Sequence, residues 1–107
     1  MNYNKVILIG RTTKDPETKE KITKFDIAVN RNKEEADFFR VSCFDKTAEF
    51  ANSYVKKGKL ILVDGSLRNN SWTDKDGKKR VATEIIANKI ELLEKKESNN
   101  AVPENWN

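Results

Sequence analysis

The chain has 107 residues, of which 36% are apolar and 36% charged, and its formal net charge is +4. This length suits one small domain with a single core and excludes a protein of several domains. Histidine is absent, which removes the side chain most often used for proton transfer near neutral pH. The one cysteine, Cys43, cannot form a disulfide within the chain and is typical of a reducing compartment. We therefore expect a protein that is not an enzyme and needs no cofactor or metal.

The first predicted element is a strand at residues 6–9. The run of Val6, Ile7, Leu8 and Ile9 before Gly10 is typical of a well-buried strand. Four apolar residues are too few for the core of a signal peptide or for a membrane span. We expect a cytoplasmic protein with no membrane partner.

The second and third strands are predicted to form a hairpin. After a turn at residues 14–17, alternation of Phe25, Ile27 and Val29 with more polar residues predicts a half-buried strand. Polar residues 32–35 predict a loop, and residues 37–45 predict the third strand. Alternation assigns one face of this strand to the core: Phe39, Val41 and Cys43. It assigns the other face to solvent, unless a partner chain covers it: Phe38, Arg40, Ser42 and Phe44.

A short helix of about three turns is predicted next. Thr47 is its expected cap, and Ala48, Ala51 and Val55 follow the spacing of an apolar helix face. The Lys-Lys-Gly sequence at residues 56–58 predicts its end.

The last two strands are predicted to form a second hairpin. Residues 60–72 have strand composition, with Gly65 as an expected bulge or bend. Residues 74–77, Asp-Lys-Asp-Gly, predict the turn, and residues 80–93 the fifth strand. Residues 96–107 show no periodicity, so we expect a folded domain over residues 1–95 followed by a short mobile tail.

This order of elements predicts the fold class. Three strands, one helix and two strands match an all-β, five-stranded Greek-key barrel of the oligonucleotide/oligosaccharide-binding (OB) type, with the helix between strands three and four. An open α+β domain with the same order of elements is the alternative.

The fourth strand combines cationic and aromatic groups on one face. Arg68, Asn70 and Trp72 share that face by alternation, as Phe38 and Arg40 do on the third strand. Aromatic rings provide stacking surfaces for unpaired bases, and guanidinium groups bind phosphates. The alternatives are that these aromatic side chains belong to the core or are buried between subunits.

Positive charge is concentrated in one part of the chain. Residues 56–80 contain eight Lys or Arg against three Asp. Such a basic stretch indicates a polyanionic partner, or alternatively a lysine-rich surface that only keeps the protein soluble.

Six segments of the sequence resemble, in family order, signature segments of the bacterial and phage single-stranded DNA-binding proteins. They lie between residue 4 and about residue 93, and each is unspecific alone. They are residues 4–11 (NKVILIGR), 14–17 (KDPE), 25–31 (FDIAVNR), 44–49 (FDKTAE), 54–58 (YVKKG) and 63–68 (VDGSLR).

The resemblance implies an OB fold that assembles as a homotetramer in the nucleoid and binds single-stranded DNA without strong sequence preference. It implies protection of that DNA during replication, recombination and repair. Three positions match stacking aromatics of the family: Phe38, Phe44 and Trp72. Five match positions that are commonly basic: Lys5, Arg40, Lys46, Lys57 and Arg68. We add basic residues of the matching segments and of the second hairpin: Arg11, Arg31, Lys78, Lys79 and Arg80.

The sequence departs from the family pattern in three places. The loop between strands two and three is very short and has no additional stacking Trp. Asn70 stands where an Arg is frequent. The family's acidic tail ends in Pro-Phe and recruits replication and repair proteins, whereas residues 103–107 read PENWN. The resemblance therefore does not carry that mode of recruitment over to these residues.

Other functions stay open on the residues alone. An RNA-binding, primosome-linked or translation-linked OB module would use the same stacking chemistry. A nuclease would need an acidic cluster, and we interpret Asp74 and Asp76 as turn formers, which leaves Asp64. A purely structural oligomerisation role would predict no affinity for oligonucleotides.

Overall fold

The computed structural model describes residues 1–94, which form six strands and one helix. The elements are β1 (Val6–Thr12), β2 (Glu17–Lys19), β3 (Ile22–Asn30), β4 (Ala36–Phe44), α1 (Asp45–Tyr54), β5 (Leu60–Thr73) and β6 (Lys79–Leu92). The predicted tail at residues 96–107 lies outside the described residues. Within residues 1–94, no helix is long and apolar enough to cross a membrane.

The strand pairing closes on itself. β1 pairs antiparallel with both β5 and β3, β3 with β4, and β5 with β6. A parallel pairing of β4 with β6 completes the ring. The predicted five-stranded OB arrangement, with its helix between the third and fourth strands of the ring, is confirmed.

A sixth strand, β2, was not predicted, because three exposed polar residues carry no alternating apolar signal. β2 pairs with β3 from Glu17↔Lys24 to Lys19↔Ile22. Glu20 and Lys21 make the tight turn between the two strands, both with positive φ angles.

The prediction of a well-buried first strand is wrong for one of its faces. Val6 and Leu8 are half-buried against the core, whereas Ile7 is 54% and Ile9 50% exposed. The reason is that β1 packs only one face on the core, and alternation points Ile7 and Ile9 away from it.

The helix starts earlier than predicted. It begins at Asp45, and its N-cap residue, Phe44, makes no capping hydrogen bond with its side chain, so the assignment of Thr47 as the cap is wrong. The carboxylate of Asp45 lies in the first turn, where the helix dipole favours a negative charge. Ala48 and Ala51 are the buried residues of the helix, as their spacing predicts.

The barrel interior is apolar and includes the predicted core face of β4, with Val41 and Cys43 fully buried and Phe39 packed against them. The predicted bulge also occurs, since the pairing of β5 with β6 shifts register between Asp64 and Gly65. A Cβ atom on Gly65 would lie 2.1 Å from the carbonyl oxygen of Ile86. Only glycine fits this close approach of the two strands.

Candidate nucleic-acid interface

The outward faces of β3, β4, β5 and β6 enclose a groove of about 400 Å³. Its lining is Lys24, Asp26, Phe38, Phe39, Arg40, Asn70, Trp72, Ala82, Thr83 and Glu84. The groove thus brings Phe38 and Arg40 of the third predicted strand together with Asn70 and Trp72 of the fourth, whereas Phe44 and Arg68 do not line it. A second depression of about 350 Å³, beside the β2–β3 turn, shares Lys24, Asp26 and Arg40 with this groove.

Two aromatic rings of the groove are open to solvent. Phe38 is 66% and Trp72 49% exposed, so neither is a core residue of this chain. Trp72 lies opposite Arg80 in the register of the second hairpin, which places both on the same face. An exposed ring that lines a groove has free π surface for a planar ligand.

The third aromatic residue, Phe44, has a different environment. It is half-buried, and Arg68 Cζ lies 5.7 Å from the centre of its ring. A guanidinium at this distance makes a cation–π contact. Arg68 thus makes its cation–π contact with Phe44 of β4, and not with Trp72, whose face of β5 it shares by alternation.

Ser42 lies on the outward face of its strand, as alternation predicts, but the expectation that this face exposes it to solvent is wrong. Ser42 is fully buried. Its Oγ donates a hydrogen bond of 2.6 Å to Oε1 of Glu84, a residue that is itself only 5% exposed. Longer side chains converge on this carboxylate, with Arg68 Nη2 3.3 Å from Oε2 and Lys24 Nζ 3.9 Å from Oε1. They cover the short serine side chain.

Many of the predicted phosphate-binding cations make ion pairs within the chain. Arg40 Nε donates to Asp26 Oδ1 at 2.9 Å, inside the groove. The other pairs are Lys5 with Asp64 at 3.3 Å, Arg11 with Glu94 at 2.9 Å, Arg80 with Asp74 at 2.8 Å, and Arg31 with Asp37. The hydrogen bond that Arg80 donates lowers the pKa of Asp74, and the hydrogen bond that Arg40 donates to Asp26 raises the pKa of Arg40.

The remaining predicted lysines are exposed and make no ion pair with another residue of the described range 1–94: Lys46, Lys57, Lys78 and Lys79. Lys46 lies in the first turn of α1. Lys79 pairs in register with Thr73, which places it on the face of the hairpin opposite Trp72.

Of the predicted site residues, only Phe38, Arg40 and Trp72 line the groove. Arg11 lies beside Gly58 and Glu94, where it donates to the Gly58 carbonyl at 2.9 Å. Arg31 is held at the β3–β4 turn. The predicted cations thus lie on several elements of the fold rather than in the groove alone.

Sequence reasoning missed two acidic residues of the groove, Asp26 and Glu84. Asp26 pairs in register with Arg40, and Glu84 with Arg68. Alternation separates Asp26 from the core residues Phe25 and Ile27 of its strand, but only the register between strands shows that Asp26 and Glu84 each lie beside an arginine. The pattern of a single strand does not contain this register, so sequence reasoning could not find the two acidic residues.

A closed five-stranded sheet with a helix between its third and fourth barrel strands, and a groove on its outer face, defines the OB-fold class of proteins. Comparison with protein families matches residues 3–93 to the single-strand binding protein family. The chain belongs to this family.

Curated relatives agree with this assignment. The chain is 39% identical to "Single-stranded DNA-binding protein" of Thermotoga maritima, and the match covers 88% of this chain and 76% of the relative. It is 42% identical to "Single-stranded DNA-binding protein 3" of Clostridium acetobutylicum, over 91% and 75% of the two chains. It is 40% identical to "Single-stranded DNA-binding protein 1" of Staphylococcus aureus, over 90% and 69%.

Proposed function

We propose that this protein binds single-stranded DNA with little sequence preference and protects it during replication, recombination and repair. The observation that carries the proposal is the groove in which the exposed rings of Phe38 and Trp72 lie with the guanidinium of Arg40. Every base has a π face, so stacking on such rings tolerates any sequence. In a duplex the base faces are already stacked, so the same groove favours unpaired strands.

Phosphates are held in two ways in this proposal. The exposed lysines Lys46, Lys57, Lys78 and Lys79 bind phosphates directly, whereas Arg40, Arg68 and Arg80 exchange a carboxylate for a phosphate. The first group contributes long-range attraction, because a positive surface raises the encounter rate with a polyanion. The second group is placed close to the stacked bases.

The proposal includes a homotetramer, in which several barrels share one strand. Ile7 and Ile9 support it, because they form an exposed apolar surface on β1. β1 also pairs with β3 only at Arg11 and Thr12. In the described part of the chain, its edge over residues 6–10 therefore has no partner strand on that side.

We also propose that the protein works in the cytoplasm, in association with the nucleoid. Cys43 supports a reducing compartment, because it is a fully buried free thiol. Burial raises the pKa of the Cys43 thiol to about 12, so the thiol stays protonated and unreactive in the folded protein.

The test is a titration of three fluorescein-labelled ligands of equal length, followed by anisotropy: oligo(dT), a DNA duplex and oligo(U). We expect oligo(dT) to bind far more tightly than the duplex, and more tightly than oligo(U). Equal affinity for single strands and duplex would contradict the stacking groove. Preference for oligo(U) would favour the RNA-binding alternative.

A further inference from the structure

Phe44 differs from Phe38 and Trp72 because a side chain of the same protein covers it. The guanidinium of Arg68 stands over the Phe44 ring, with Cζ 5.7 Å from the ring centre. Phe38 and Trp72 instead have open rings. A nucleobase that stacks on the covered face of Phe44 must therefore displace Arg68.

Glu84 fixes Arg68 in this position. Arg68 Nη2 donates to Glu84 Oε2 at 3.3 Å, while the other carboxylate oxygen accepts from Ser42 at 2.6 Å. Since Glu84 is 5% exposed, its carboxylate is anchored and cannot follow Arg68 into solvent. Burial alone would raise the pKa of Glu84, but the hydrogen bonds from Ser42 and Arg68, helped by the charge of Lys24, outweigh it and lower the pKa. The anchor is thus an ionised group.

We propose that Glu84 is a positioning residue that holds Arg68 over Phe44 in the unbound protein, so that Phe44 is a covered stacking site which single-stranded DNA opens. This inference rests on the proposed function. When a strand binds, Arg68 exchanges Glu84 for a phosphate, and a base takes its place on the ring. Ser42 and Lys24 stay with Glu84, so the buried carboxylate keeps partners after Arg68 leaves.

The consequence is a division of the interface into open and covered stacking positions. Bases reach Phe38 and Trp72 with no rearrangement, whereas stacking on Phe44 requires the Arg68–Glu84 pair to break. Glu84 keeps Ser42 and Lys24 as partners after Arg68 leaves, so breaking the pair leaves no unpaired buried charge, and the cost is small enough for DNA to overcome. The covered position is expected to be occupied last.

Glu84→Gln tests this directly, because glutamine keeps the shape and the acceptor for Ser42 but removes the charge that holds Arg68. The ligands are oligo(dT) and an abasic oligonucleotide of the same length, which has the same phosphates and no bases. We expect Glu84→Gln to raise affinity for oligo(dT) by roughly two- to fivefold. Affinity for the abasic strand should rise less. The ratio of the affinity for oligo(dT) to the affinity for the abasic strand should therefore increase.

Asp26→Asn is the matched control. It removes one negative charge from the same groove and frees Arg40, which covers no aromatic ring in the described structure. It should raise affinity for both ligands by the same factor. Adding Phe44→Leu to Glu84→Gln should abolish the increase in the ratio.

Two results would overturn the inference. An equal gain in affinity for both ligands in Glu84→Gln would mean that Glu84 acts only through its charge. A loss of affinity for oligo(dT) would mean that Glu84 holds Arg68 in a position that favours DNA binding. If Glu84→Gln fails to fold, as its melting curve would show, Arg68→Ala replaces it: binding of the abasic strand should fall, while the affinity ratio should rise. Wild-type protein that binds no oligo(dT) would instead refute the proposed function itself.

Discussion

The two halves of β5, residues 60–65 and residues 67–73, differ in burial although both are strand. In the first half, Ile61 and Val63 are fully buried in the barrel. Beyond the bulge at Gly65, residues 67–73 are all exposed, and the strand continues with β6 as a hairpin that stands clear of the core. Apolar side chains in the barrel half are therefore expected to contribute to stability, and those in the hairpin half to contribute to binding.

The largest expected effect is on stability in the barrel half. Ile61→Ala removes a fully buried side chain and leaves a cavity, at a cost of about 2–5 kcal/mol in the free energy of unfolding. Val81→Ala truncates a 64% exposed side chain of the hairpin half, and its effect should stay within about 0.5 kcal/mol. Urea denaturation of both variants measures the difference. Similar losses of unfolding free energy in the two variants would contradict the view that the hairpin half does not pack on the core.

The second prediction concerns binding in the hairpin half. Trp72→Ala should weaken binding of oligo(dT) by about 1–3 kcal/mol, because one base loses the ring on which it stacks. Its melting temperature should stay near that of the wild type, and Trp72→Phe should retain part of the affinity. Anisotropy titration and thermal denaturation of the same samples separate the two effects. A core role for Trp72 would instead give a large loss of stability with unchanged affinity per folded molecule.

Salt dependence tests Arg68, which lies on the same strand as Trp72. Each phosphate neutralised on a single strand contributes about −0.7 to the slope of log K against log salt. Arg68→Ala should therefore reduce the magnitude of the slope by somewhat less than about one unit. Lys33→Ala, at the exposed β3–β4 turn, is the control and should leave the slope nearly unchanged. An unchanged slope in Arg68→Ala would place this arginine away from the DNA backbone.

The smallest effect is on the turn at the tip of the hairpin. Asp74 accepts hydrogen bonds from Arg80 Nε and from the backbone N–H groups of Asp76 and Lys78. The bond from Arg80, with that from Lys78, lowers the pKa of Asp74 below the usual 3.8. The stabilisation is thus complete above pH 3.8 and is lost as the pH falls through the lower, folded-state pKa. The amide chemical shift of Lys78, which donates to Asp74 and has no carboxyl group of its own, should have its midpoint below pH 3.8 during acidification followed by NMR. A midpoint at or above that value would contradict the turn geometry.

Alternation within single strands predicted which side chains face the core and which face away from it, because this depends only on neighbours in sequence. It placed Val41 and Cys43 in the core and Phe38 and Trp72 outside it, and the glycine at position 65 marked the bulge. Residues that depend on pairing between distant strands could not be predicted in this way. The burial of Ser42 requires Glu84 to lie beside it, and this follows from the parallel pairing of β4 with β6.

The distribution of charge along the sequence indicated a polyanionic partner, but it did not show which cations are free to bind that partner. The sequence showed where Arg40, Arg68 and Arg80 lie along the chain. It did not show that each is paired with a carboxylate from another part of the fold. Such pairs form across strands, so no count of charges along a segment reveals them.

The central claim is that the open rings of the groove stack on unpaired bases, and Trp72 reports on this itself. In a Trp106→Phe background, Trp72 is the only tryptophan of the chain. Its fluorescence should be quenched on titration with oligo(dT), should saturate together with the anisotropy of the labelled strand, and should recover at high salt. Anisotropy that shows binding while the Trp72 fluorescence stays unchanged would contradict the account.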